Sequence, residues 1–71
     1  MAISYNKLFK LLIDRKMKKT ELATLAGISG NTLAKLSKDE YVSMEVIVKI
    51  CKALDVTIND IMEILPDEVS G

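Results

Sequence analysis

Apolar residues recur every three or four positions in five stretches of the chain, a spacing typical of helices that bury one face. No stretch sustains the apolar-polar alternation of a strand. The pattern therefore predicts an all-α fold of five short helices, at about residues 5–16, 19–26, 30–38, 44–54 and 57–65.

Residues favoured at helix ends support these boundaries. Ser4, Ser29 and Ser43 precede the first, third and fourth predicted helices, where a hydroxyl oxygen can accept a hydrogen bond from a free backbone N–H group. Thr57 followed by Asp60 resembles a capping box and predicts the start of the fifth helix.

The stretch TELATLAGISGNTLAKLSK contains the second and third predicted helices and a short turn between them. Gly27 lies where a helix end favours a positive φ, which glycine adopts without steric cost. Two helices joined by such a turn form a helix-turn-helix, although a generic helical hairpin has the same pattern. The outer face of the third helix carries Asn31 and Lys35 as hydrogen-bond donors and Ala34 as a small apolar group, which suits the major groove of DNA.

Charge is divided unequally along a chain whose formal net charge is zero. Residues 1–38 contain eight cations and two anions, a net charge of +6, and residues 39–71 carry −6. Such a dipolar protein can present its basic side to a polyanion. The alternative is that the charges are distributed unevenly by chance, as happens in small helical proteins.

Length and composition narrow the function classes. The 71 residues are enough for one small domain, expected at 1–66 with a flexible tail at 67–71 after Pro66. No apolar run approaches the roughly 20 residues of a membrane-spanning helix. The start, MAISYNKLFK, does not resemble a signal peptide, so a cytoplasmic location is expected.

Catalysis, metal binding and a cofactor are not expected. The chain has no histidine, and its one cysteine, Cys51, has the spacing of a core residue. We see no nucleophile paired with a base and no phosphate-binding loop. An enzyme is therefore the least favoured class.

From residue 8 to residue 64, the sequence resembles the lambda-repressor-like (Cro/repressor, XRE-type) helix-turn-helix regulators. The matching residues are Met17, Leu22, Ala23, Gly27, Ile28, Ser29, Thr32, Leu33, Leu36, Ser43, Met44, Glu45, Ile50, Leu54, Val56 and Ile61. The resemblance implies a compact five-helix domain with the helix-turn-helix at its second and third helices. It also implies sequence-specific binding of double-stranded DNA and a role in transcription regulation.

The resemblance assigns roles by position. Residues implied to face the bases are Gly30, Asn31, Ala34 and Lys35. Lys18, Lys19 and Lys38 flank the helix-turn-helix on the chain, so these cations can contact phosphates on either side of a groove. The resemblance also implies phosphate contacts for Lys19 and Lys38 and adds Ser29, Thr32, Tyr41 and Ser43.

Two departures from the family pattern concern DNA binding. Lys18 stands where the family usually has a threonine cap, so the second helix is expected to start without its usual side-chain cap. Gly30 stands where a long polar base-reading side chain is common, which leaves Asn31 and Lys35 as the candidates for reading base edges.

The last predicted helix has more apolar residues than one helix face can bury. Ile58, Met62 and Leu65 are therefore candidates for a homodimer interface. Two-fold pairing would place two recognition helices roughly 34 Å apart, one DNA turn, on a palindrome. The alternative is that the tail folds back and Val69 covers this patch.

A protein-interaction module, such as an antitoxin or adaptor that has kept the scaffold and lost DNA binding, is the rival function. The zero net charge and the lack of a side chain at Gly30 favour it.

Overall fold

The structure, a computed structural model, describes residues 2–66, so the predicted tail at 67–71 lies outside the described residues. The elements in chain order are β1 (Ala2–Ser4), α1 (Asn6–Asp14), α2 (Lys19–Ala26), α3 (Gly30–Ser37), α4 (Met44–Leu54), a single 3-10 turn (Ile58–Asp60) and β2 (Glu63–Leu65). None of the helices described is long and apolar enough to cross a membrane.

The predicted boundaries are confirmed most closely in the middle of the chain. The helices α2 and α4 have the predicted bounds, and α3 ends one residue early. The first helix is shorter than predicted, and Tyr5 rather than Ser4 occupies its N-cap position, with no side-chain hydrogen bond capping the helix. The Ser4 hydroxyl instead accepts a 3.2 Å hydrogen bond from the N–H of Asn6, so it supports the turn that enters the helix.

Residues in the left-handed conformation end two of the helices. Gly27 follows α2 with a φ of 71°, and its N–H donates to the carbonyl of Ala23, as the turn prediction requires. Asp55 ends α4 with a φ of 57° and donates to the carbonyl of Cys51. The helix-turn-helix therefore uses the one residue type that adopts this conformation without strain.

The predicted fifth helix, and with it the all-α fold class, is not confirmed. Its residues form the 3-10 turn and then β2, which pairs antiparallel with β1 through Ala2–Leu65, Ile3–Ile64 and Ser4–Glu63. Extended backbone forms here because β1, from the other end of the chain, offers the hydrogen-bonding partners that an isolated segment lacks. The fold is therefore mostly helical, with four α-helices and a small two-stranded sheet among the described residues.

A single core holds the helices and the sheet together. Its buried apolar residues are Tyr5, Leu8, Leu12, Leu22, Leu36, Ile47, Ile50, Leu54 and Ile61. Cys51 is half-buried and packs against this core, which agrees with a structural thiol. Burial raises the pKa of that thiol, and the nearby Asp60 carboxylate raises it further.

Candidate nucleic-acid interface

The helix α3 is anchored through one face and one end. Leu36 is fully buried in the core, and Leu33 packs against it. At the start of the helix, the Ser29 hydroxyl oxygen accepts a 3.2 Å hydrogen bond from the N–H of Thr32, and the two hydroxyl groups lie 3.0 Å apart. These contacts fix which side of α3 is directed outwards.

The outward side of α3 carries all four residues predicted to face bases. Gly30, Asn31, Ala34 and Lys35 are exposed. Asn31, Ala34 and Lys35 are three and four positions apart, so their side chains share one helix face. At Gly30, an added Cβ would meet nothing within 4 Å, so this end of the face is open.

The start of α2 holds the first two predicted phosphate-contacting residues, Lys18 and Lys19, both exposed. The Lys18 side chain provides no cap, as expected, but the Glu21 carboxylate accepts a 3.1 Å hydrogen bond from the Lys18 N–H. Nζ of Lys19 lies 4.6 Å from the centroid of the Phe9 ring, a cation–π geometry. Nothing in the local sequence pattern indicated this contact, since Phe9 belongs to α1.

The remaining predicted phosphate-contacting residues lie near the ends of α3 and α4. Ser29 caps α3 and Thr32 is half-buried beside it. Lys38 directly follows α3, and Tyr41 is 69% exposed in the loop beyond it. Ser43 caps α4 by accepting a 3.3 Å hydrogen bond from the N–H of Val46.

The small sheet lies beside this face, which the sequence did not indicate. Ala2, Ile3 and Leu65 line a shallow depression together with Lys35 and Tyr41. Segments near the two ends of the described chain therefore border the outward side of α3. Their partners are distant in sequence, so no local periodicity could reveal this.

The three residues predicted to form a dimer interface do not share one helix face. Ile58 lies in the 3-10 turn and lines a depression with Met44 and Val48 of α4. Leu65 lies in β2, on the depression beside Lys35. Met62 is half-buried and packs against the core.

No group of three or more histidine, cysteine or acidic side chains within residues 2–66 could hold a metal ion.

Comparisons with known proteins agree with this geometry. The family model of the Cro/C1-type helix-turn-helix DNA-binding domain matches residues 7–67. The crystal structure of the transcriptional regulator VanUg, form II, is similar with a TM-score of 0.88 and 53% sequence identity, over 93% of this chain and 88% of that one. A search of curated proteins gave no match.

Proposed function

Because this chain belongs to the Cro/C1-type helix-turn-helix DNA-binding family, we propose that it is a sequence-specific DNA-binding transcriptional regulator that inserts α3 into the major groove. The similarity to a transcriptional regulator over nearly the whole chain supports the regulatory role. The proposal is one of binding and not of catalysis.

The observation that carries the proposal is the outward face of α3. Asn31, Ala34 and Lys35 lie side by side and exposed, while Leu36 holds the opposite face in the core. A helix fixed in this way presents a rigid polar surface, and the width of the major groove admits one α-helix.

Asn31 and Lys35 are the proposed base readers. The amide NH2 of an asparagine can donate to adenine N7 while its amide oxygen accepts from the adenine N6 amino group, and a lysine ammonium can donate to guanine O6 and N7. Ala34 offers a methyl group for contact with thymine. Gly30 allows close approach of the DNA but reads no base.

Phosphate contacts are proposed at both ends of the helix-turn-helix. Lys18 and Lys19 at the start of α2, with Lys38 at the end of α3, provide cations. Ser29, Thr32, Tyr41 and Ser43 provide hydroxyl groups near the same surface. Such contacts fix the orientation of the protein on the duplex without reading its sequence.

The experiment is a titration of selected and random duplexes at two salt concentrations. DNA binding that releases counterions weakens steeply as salt rises. Lys19→Ala should weaken all duplexes alike and reduce the salt slope by about one. The matched control is Lys52→Ala on α4, an exposed lysine of the acidic half, which should leave affinity unchanged.

Base reading is tested by substitutions on α3. Asn31→Ala and Lys35→Ala should each relax preference at one base position by roughly 1–3 kcal/mol. Asn59→Ala, an exposed asparagine of the 3-10 turn, is the control and should leave preference intact. An absence of duplex affinity at low salt would refute the proposal and favour the protein-interaction module.

We further propose that the protein binds DNA as a homodimer. The support is an apolar surface on the acidic half, where Met44 is 63%, Val48 44% and Ile58 38% exposed. Light scattering across a concentration series tests this, with Ile58→Asp expected to shift the dimer towards monomer. A strict monomer at the highest concentration would contradict the proposal, and a selected binding site that is not a palindrome would argue against two-fold pairing.

A further inference from the structure

We propose that the groove between the end of α1 and the start of α2 binds an acidic amphipathic helix of another protein. The groove, here called the Ile13 groove, is lined by Phe9, Ile13 and Met17 as apolar residues and by Lys18 and Lys19 as cations. The homodimer surface proposed above lies on other elements, so the two surfaces are distinct.

The apolar part of the groove is exposed to solvent at Ile13. Ile13 is 74% exposed, more than any other large apolar residue among those described. Phe9 and Met17 pack against the core on one side and line the groove on the other. A partner that covers these three side chains would remove apolar surface from water, which is the main favourable contribution to such binding.

The charge of the groove determines the chemistry of the partner. Its charged lining residues are both lysines, and no carboxylate lines it. Lys19 lies over the Phe9 ring at 4.6 Å, so the ammonium group and the apolar surface are adjacent. A helix with acidic residues beside an apolar stripe matches both properties at once, because its carboxylates can pair with the lysines while its apolar side chains contact Ile13.

A nucleic acid fits the groove less well than a protein. A phosphate backbone would engage Lys18 and Lys19 but would leave Ile13 and Met17 in water. The exposed aliphatic side chains therefore favour a peptide with its own apolar face.

The binding test uses a defined probe. The probe is a fluorescein-labelled 18-residue helix with leucine on one face and glutamate on the others. Its fluorescence anisotropy is measured as the full chain is added. A peptide of the same composition in scrambled order and a peptide with lysine in place of glutamate are the controls. We expect saturable binding of the amphipathic acidic peptide and at least about tenfold weaker binding of both controls.

Substitutions locate the site. Ile13→Asn should weaken the peptide complex about tenfold, since it removes an apolar side chain from the contact. Leu25→Asn is the matched control, because Leu25 is also an exposed helical side chain, at 56%, but does not line the groove. It should change affinity by less than about twofold. Both residues are exposed, so neither change opens a cavity, and circular dichroism verifies that both variants fold.

Three results would overturn the proposal. The scrambled peptide could bind as tightly as the amphipathic acidic peptide, or the Ile13→Asn variant could bind the acidic peptide as tightly as the parent. The third result is that the chain alone self-associates and that Ile13→Asn abolishes this association. The last would identify a second copy as the occupant. The peptide titration contains no DNA, so its outcome is independent of the proposed DNA binding.

One consequence rests on the proposed function. Lys18 and Lys19 belong both to the groove and to the proposed phosphate contacts, so an excess of the acidic peptide should displace a bound labelled duplex. A stable complex of protein, peptide and duplex would contradict this overlap.

Discussion

The phenolic hydroxyl group of Tyr5 donates a 2.9 Å hydrogen bond to the main-chain carbonyl of Glu40. Tyr5 immediately precedes α1 and is 1% exposed, while Glu40 lies just beyond α3. The N–H of Tyr5 also donates to Oδ1 of Asp39 at 2.9 Å. Two hydrogen bonds therefore join the start of α1 to the segment that directly follows α3.

Tyr5→Phe should destabilise the protein by about 1 kcal/mol. The substitution keeps the ring in the core and removes only the hydroxyl group that bonds to Glu40, and a typical hydrogen bond contributes roughly 0.5–1.5 kcal/mol. Urea unfolding followed by circular dichroism measures the change. A variant as stable as the parent would show that water replaces this bond at no cost.

Substitutions of Asp39 should also change the stability of the protein, because this residue accepts the hydrogen bond from Tyr5 and has a φ of 56°. Asp39→Asn keeps an acceptor oxygen and a residue type that tolerates the left-handed conformation, so we expect a change below about 0.5 kcal/mol. Asp39→Ala loses the acceptor and keeps the strained φ, so it should cost about 1–2 kcal/mol. Equal stability of the two variants in urea would contradict this account.

Replacing each of the two described glycines with alanine should change the stability of the protein in opposite directions. An added Cβ meets nothing within 4 Å at either position, so crowding does not distinguish them. Gly27→Ala should destabilise by about 1 kcal/mol because the φ of Gly27 is 71°. Gly30→Ala should stabilise by up to about 1 kcal/mol, since alanine is the better helix former. Thermal unfolding of the pair checks the sign, and each variant is the control for the other.

The contribution of Asp60 to the stability of the protein should be lost at acid pH. The pKa of its carboxyl is lowered from 3.8, chiefly by the backbone hydrogen bond from Thr57 and then by the Thr57 hydroxyl. A lowered folded-state pKa contributes stability that is present above the unfolded pKa and lost as pH falls through the folded one. The stability advantage of the parent over Asp60→Asn should thus be constant near neutral pH and shrink below about pH 4.

Urea unfolding at a series of pH values measures this advantage for Asp60. Glu63→Gln removes a negative charge from the same segment and is the control. An advantage that persists unchanged to pH 2 would exclude the Thr57 hydrogen bonds as its source.

The helix-turn-helix could be predicted from the sequence because its determinants lie within a few residues of each other. Gly27 and Ser29 end one helix and begin the next through contacts that span at most four positions. The candidate base-facing positions Asn31, Ala34 and Lys35 followed from helical spacing, Gly30 followed from the family resemblance, and all four are exposed in the structure. Their contacts with DNA remain predictions.

The prediction of a last helix was wrong because the structure of this segment depends on a distant part of the chain. Residues 57–65 have helical apolar spacing, but Ile64 pairs with Ile3. Tertiary pairing overrides local preference in such short segments. For the same reason, the contact of Lys19 with Phe9 and the bond of Arg15 Nη1 to the carbonyl of Leu54, at 2.6 Å, could not be read from spacing.

The pairing of β1 with β2 determines how the molecule responds to force. Ala2 is opposite Leu65 and Ser4 is opposite Glu63, so both ends of the described chain leave the ladder on the same side. Tension applied between these ends loads one pair at a time, as in opening a zipper, and does not shear the three pairs together. We therefore expect the sheet to be the first element to separate under load, before the packing of the helices that hold α3 in place is disturbed.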